Sequence, residues 1–213
     1  MKTILCVATI SILLTGCGNE DADNAVTDYF GKSFNSSVEK EIYAQYVADS
    51  TAAIVDAIFE NGCVTSMECT ISGHRYMPDG KSDYILETTT KVTVAKSGEK
   101  LTVSAKNTNP SEQIFLKDAN SDSELISVNL LDGTYSIQIS GSSSPYTVTT
   151  HARYTDSQDL YGDQGLTFKV KTDSSFIFDK NRNILTSGSA TTTYKDSSKY
   201  KWKVGTSGIV ALN

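Results

Sequence analysis

The chain has 213 residues, with 19 Lys and Arg against 25 Asp and Glu and a net charge of −6. That length suits one sizeable core, and the acidity excludes the chain-wide basic footprint that nucleic acid demands. It gives no general attraction to an anionic membrane surface either, so any attachment there must come from elsewhere in the chain.

Lys2 makes a minimal basic start, and residues 4–14 form an apolar run. A spanning helix needs about 20 apolar residues, so this run has the length of a signal peptide. An ordinary secretory signal ends in an A-x-A-like site, and none lies near Gly16. Instead Leu14-Thr15-Gly16-Cys17 resembles the lipobox of bacterial lipoproteins. The resemblance implies export, diacylation of the Cys17 thiol, removal of residues 1–16 and acylation of the new amino terminus. In Gram-negative lipoproteins an Asp after the acylated cysteine is associated with inner-membrane retention. Gly18 stands there, so the resemblance implies the outer membrane, facing the periplasm. A secretory signal that happens to hold a cysteine, and an uncleaved anchor, are the other readings of the same residues.

Cys6 leaves with the signal, and Cys63 and Cys69 remain after Cys17 is acylated. In an oxidising envelope two such close cysteines most simply form a disulfide. The chain-entropy account credits so small a loop with about 2 kcal/mol. A free thiol pair is an alternative, and a metal site lacks zinc-ligand spacing, with only His74 nearby.

Residues 18–34 carry Glu20, Asp21, Asp23 and Asp28 without apolar periodicity, so residues 17–34 read as an acylated tether. Residues 35–213 then read as one domain. Its start is a helix: Ser36-x-x-Glu39 is a capping box, Asn61-Gly62 a stop, and no Pro or Gly lies between. Tyr43, Val47, Ile54 and Ile58 fall on one stripe, and Asp49, Asp56 and Glu60 opposite. The expectation is an amphipathic helix with a solvated acidic face. Asp56 and Glu60, one turn apart, also have the spacing of a carboxylate pair for catalysis, but the solvated face explains them.

From Cys63 onward the period changes to two. Tyr84, Leu86, Thr88, Thr90, Val92 and Val94 alternate with Ile85, Glu87, Thr89, Lys91 and Thr93, and Lys96-Ser97-Gly98-Glu99 turns into Leu101, Val103 and Ala105 as a hairpin. Asn109-Pro110 breaks the pattern before a short strand at residues 113–116. Residues 124–131 and 134–140 flank Asp132-Gly133, the clearest two-residue hairpin signal. Tyr146, Val148, Thr150, Ala152 and Tyr154 alternate next, followed by a polar interruption at 156–165. Leu166, Phe168 and Val170, then Phe176 and Phe178, lead through a turn at 179–183 to Ile184, and Thr191 to Tyr194 continue that strand. Tyr200, Trp202 and Val204 alternate with Lys199, Lys201 and Lys203, and residues 209–212 close the chain.

Such alternation belongs to antiparallel strands with one wet face, and a sheet of about ten strands should curl. The expected fold is α+β: the helix on the concave side of a curled, mostly antiparallel sheet. A two-sheet sandwich with the helix at one end is the alternative.

Candidate chemistry is sparse. His74, in a loop-like stretch, and His151, on the polar phase of its strand, read as surface histidines, and no G-x-S-x-G elbow accompanies them. Residues 118–122 resemble the start of a calcium loop, but Ser123 and Asn129 stand where Gly and Glu belong, leaving a polar loop. Asp179, Asn181 and Asn183 read as turn residues. The lysine strip beside Trp202 suits a solvated strand face or edge protection, with anionic lipid or glycan as the sharper reading. Tyr84, Tyr135, Tyr146, Tyr154 and Tyr200 occupy the apolar phase, as core or cavity lining.

No cofactor, metal or nucleic acid is expected, and the expected function is non-enzymatic. One long helix followed by a curled antiparallel sheet looks like the architecture of the bacterial lipoprotein-localisation carriers, a likeness of element order. It implies a hydrophobic ligand between helix and sheet, or an envelope partner. The alternative is a structural or assembly lipoprotein with a filled core, acting through edge strands or the 156–165 loop.

Overall fold

A computed structural model of the chain describes residues 37–78, 82–105, 113–130, 134–156 and 167–212. The helix α1 (Ser37–Glu60) comes first among them. It stops as the sequence predicts. Cys63 N donates to Ile58 O at 2.8 Å and Gly62 N to Phe59 O at 3.1 Å, with Gly62 at φ 69°, a Schellman ending. Ser36 and the signal, lipobox and tether lie outside the described residues.

The solvated face of α1 does not exist over most of its length. From Tyr43 to Ile58 only Gln45 and Tyr46 escape full burial, and Asp49 and Asp56 are 8% and 3% exposed. The helix is buried all round because the sheet curls about it, and Ala44, Ala48, Ala52, Ala53 and Ala57 let strands approach closely. Glu60 alone of the three predicted surface acids is exposed. No helix among the described residues is long and apolar enough to cross a membrane.

Among the described residues thirteen strands form one antiparallel, unclosed sheet. The first eight are short: β1 (Met67–Cys69), β2 (His74–Tyr76), β3 (Tyr84–Thr88), β4 (Val92–Ser97), β5 (Lys100–Ala105), β6 (Ile114–Asp118), β7 (Glu124–Asn129) and β8 (Ser136–Ser140). Longer strands follow: β9 (Tyr146–Asp156), β10 (Thr167–Asp179) and β11 (Ile184–Tyr194), then β12 (Lys199–Gly205) and β13 (Gly208–Ala211).

The short strands are halves of long ones. β7 and β8 lie end to end on one edge of β9, with Asn129 opposite Arg153 and Ser136 opposite His151. Outside them β6 pairs β7 while β5 pairs β8, and β3 pairs β6 while β4 pairs β5. β2 and β1 finish the two branches. The sheet is thus an up-and-down meander in chain order, its early strands each broken in the middle.

Two sequence expectations change accordingly. The single strand read through Tyr84 to Val94 breaks at residues 89–91, and its halves enter different branches. The strands flanking Asp132-Gly133 are not a hairpin, because β7 and β8 pair with β9 and not with each other. Asp132 and Gly133 themselves lie outside the described residues. Alternation fixes which face a residue takes, and it is the same for a hairpin and for an interrupted strand. The β4–β5 hairpin forms as predicted, closing with Ser97 opposite Lys100.

The breaks line up as a crease across the sheet. It continues into β9–β10, where the register jumps between Lys171 and Phe176. There Thr172 Oγ1 accepts from Thr150 N at 2.8 Å and donates to Thr150 O at 3.2 Å, replacing a lost ladder rung. Bulges of this kind bend a strand and increase its twist.

The inner face fills against α1. Tyr76, Leu86, Leu116, Val128, Phe176 and Trp202 are fully buried in one core continuous with the helix. The Trp202 indole N–H donates to Thr192 Oγ1 at 3.0 Å, so its one polar atom is satisfied. Cys63 and Cys69 have their sulfurs in bonding contact, with Cα atoms 6.2 Å apart, and fasten the helix exit to β1.

At the crease Gly188 has φ +113° and passes so close to β10 that a Cβ would sit 2.6 Å from Phe176 Cα. Gly188→Ala is expected to lower unfolding free energy by about 2–4 kcal/mol through backbone strain and overpacking. Equilibrium urea unfolding followed by Trp202 fluorescence measures it.

Candidate functional site

Edge strands β2 and β13 do not pair, so the curled sheet stays open beside the first half of α1. A pocket of about 440 Å³ occupies that opening. Gln45, Ala48 and Asp49 of α1 form its floor, Tyr84 with Pro78 and Ser82 one wall, and Ile184, Leu185, Val204 and Ile209 the other, with Arg182 also lining it. Polar and apolar groups therefore share the lining.

Asp49 is the distinctive group. Gln45, one turn earlier, donates from Nε2 to Oδ1 at 3.0 Å, and the Tyr84 hydroxyl to Oδ2 at 3.4 Å. Burial pushes the Asp49 carboxyl up to about 6, against the pull of those two hydrogen bonds. Burial, then the charge of Asp49, pushes the Tyr84 hydroxyl up to about 12. Tyr84 stacks on Tyr76 at 6.2 Å, and the Tyr76 hydroxyl donates to Asn183 O, so the wall is held to the β10–β11 turn. The pocket thus presents a carboxyl group whose charge burial disfavours, with hydrogen-bonding groups around it and branched aliphatic side chains opposite.

A second buried acid lies two turns along α1. Asp56 Oδ2 meets His74 Nε2 at 2.9 Å, and the Asn183 amide donates to Asp56 Oδ1 at 3.2 Å and to Lys180 O at 2.8 Å. His74 is therefore no surface loop residue: it sits in β2, with its side chain 12% exposed. Among the described residues no hydroxyl or thiol hydrogen-bonds its ring, so the pair ties helix to strand and turn without a nucleophile to activate. Nearby, Lys180 Nζ pairs with Glu60 Oε1 at 3.1 Å and lies 5.4 Å from the Phe59 ring centroid. Asp56 and Glu60 do not converge on a shared site, since each carboxylate has its own partner.

The remaining candidates resolve locally. His151 is exposed, edge-on to Tyr135 at 5.3 Å. Asp118 Oδ1 accepts from Asn120 N at 2.8 Å and Ser121 N at 3.0 Å, and Asp179 from Asn181 N at 3.0 Å, so both carboxylates cap their own turns. Among the described residues no three His, Cys, Asp or Glu side chains group as metal ligands. Cys17 lies outside them. The signal that could have marked Asp49 is its setting: residues 47–58 are otherwise small, apolar or hydroxyl-bearing, with Asp49 and Asp56 the only charges. Comparison of the chain with family models, curated proteins and solved structures returns no match.

A carboxyl raised to about 6 when folded stays protonated between pH 4 and 6 while the unfolded chain ionises, so stability falls as pH rises through that window. Above pH 6 the whole penalty, of order 3 kcal/mol, is present. Asp49→Asn is expected to match the parent near pH 4 and to exceed it by up to that amount at pH 7.5. Paired urea titrations at the two pH values check the difference.

Proposed function

We propose that the protein is a non-enzymatic lipoprotein of the bacterial envelope, held at the outer membrane facing the periplasm by lipid on Cys17. Residues 17–34 act as the tether, and the folded body binds a small amphiphilic ligand with a cationic group in the pocket beside α1. The observation that carries the ligand reading is Asp49, a buried carboxylate lining a pocket about 440 Å³ in volume. Burial penalises its charge, and a ligand ammonium set against it would relieve that penalty. Ile184, Val204 and Ile209 supply the apolar wall such a ligand needs. The filled helix–sheet core supports a ligand at the open end over an acyl chain drawn along the helix. That same filling favours a second reading, an assembly lipoprotein that meets an envelope partner through its surface.

Cells expressing the parent should incorporate radiolabelled palmitate into the protein, and Cys17→Ala should abolish it; label retained in that variant would defeat the anchor. A thermal-shift panel of alkylamines and polyamines at pH 7.5 tests the pocket. At least one amine should stabilise the parent and leave Asp49→Asn unmoved, with the shift fading below pH 6 as Asp49 takes up its proton.

A further inference from the structure

The acidity of the chain as a whole conceals a basic outer face. In β12 the residues Tyr200, Trp202 and Val204 turn inward, so Lys199, Lys201 and Lys203 turn outward. The register extends the strip into neighbouring strands. Lys199 is opposite Thr193, Thr193 opposite Lys169, and Lys169 opposite Arg153. One step along, Lys201 is opposite Thr191, Thr191 opposite Lys171, and Lys171 opposite His151. Strands about 4.8 Å apart and side chains repeating about every 7 Å along each make this a grid of cations on a bed of threonine.

All five lysines are exposed, and among the described residues none forms an ion pair. Two carboxylates are held by hydrogen bonds at the grid: Asp173 accepts at 2.6 Å from Thr191 Oγ1, within the Lys171–Lys201 row, and Asp196 accepts from Ser198 N at 2.9 Å in its own turn. The grid makes its own field felt, for Lys171 and Lys169 add to burial in holding the His151 ring below the ordinary imidazole range. Edge protection does not account for the lysines, because β12 is paired on both sides, by β11 and by β13.

We propose that the outer face of β9–β12 is a docking surface for an anionic phospholipid bilayer, with headgroup phosphates lying over the rows Lys169–Lys199 and Lys171–Lys201. Three features select a bilayer among anionic partners. The aromatic residues of these strands face inward, so no ring is offered to stack on a base or a sugar. The face is a sheet surface, without the helix or ribbon that enters a DNA groove. Its charges spread over two dimensions, as headgroups do, and a basic patch adds electrostatic attraction to anionic lipid on top of any acyl anchor. Only the nearness of a bilayer rests on the Cys17 reading; the charged face does not.

The test uses the full-length protein mixed with vesicles of phosphatidylcholine alone or with added phosphatidylglycerol. Amine-reactive labelling read by mass spectrometry reports each lysine. Lys169, Lys171, Lys199, Lys201 and Lys203 should be protected by the anionic vesicles, exposed with the neutral ones, and released by high salt, while Lys96 and Lys100 label equally throughout. Each basic side chain near an anionic surface is worth roughly fivefold, so Lys169→Gln, Lys171→Gln and Lys201→Gln together should cut the docked-to-free ratio on the order of a hundredfold. Equal labelling on the two vesicles, or protection by duplex DNA or heparin without protection by phosphatidylglycerol, would overturn the proposal. Flotation with neutral vesicles reads the Cys17 anchor separately, so the two readings fail independently.

Discussion

Everything in this structure depends on enclosing one helix. α1 is too apolar to lie on a surface, and its alanines leave no side-chain bulk to cover the backbone from one side only. A flat sheet could shield one stripe of it. Shielding the full circumference takes a sheet that turns through a large angle, and the antiparallel meander supplies that turn strand by strand through its right-handed twist.

Twist alone bends a sheet across its strands, whereas the crease bends it along them as well. By breaking each early strand and shifting register in β10, the fold divides the early part of the sheet into two branches while β9 still joins both. The same strategy explains where polar groups end up inside. Asp49 and Asp56 leave the helix toward the side that the sheet does not close, where β2 and β13 remain apart. One of them is fully bonded to His74 and Asn183, and the other looks into a pocket. An enclosure with a gap creates the place where a buried charge is both costly and reachable.

Much of the fold was legible in the residues, for reasons that are local. Asn61-Gly62 stops the helix because glycine tolerates the left-handed conformation the Schellman ending needs, and Lys96-Ser97-Gly98-Glu99 turns β4 into β5. Alternation put Tyr84, Tyr154 and Trp202 on the inner face. What local pattern could not carry was connectivity. Asp132-Gly133 has the chemistry of a hairpin, yet whether β7 folds back on β8 or continues into it is decided by β9, whose length offers both halves an edge. The burial of Asp49 was hidden likewise. A helical wheel assumes one partner surface, and it assigns the opposite side to water whatever surrounds the helix. The grid of lysines went partly unseen because Lys169 and Lys171 become neighbours of Lys201 only through β11.

The contact between α1 and β13 bears on how the chain reaches this state. Strands of a meander pair with the strand just made, so most of the sheet can grow by short loop closures, the kinetically easy kind. The helix is the exception. It is the earliest described element and packs against the latest, as well as against β2, β3, β6, β7, β11 and β12 between them. A chain threaded amino terminus first would leave a helix made for burial on nearly every side exposed until almost the whole sheet has arrived. For such a molecule the hazard lies in waiting, and cooperativity follows: the sheet has little reason to hold its curl without the helix, and the helix has none of its shelter until the last strand closes beside it.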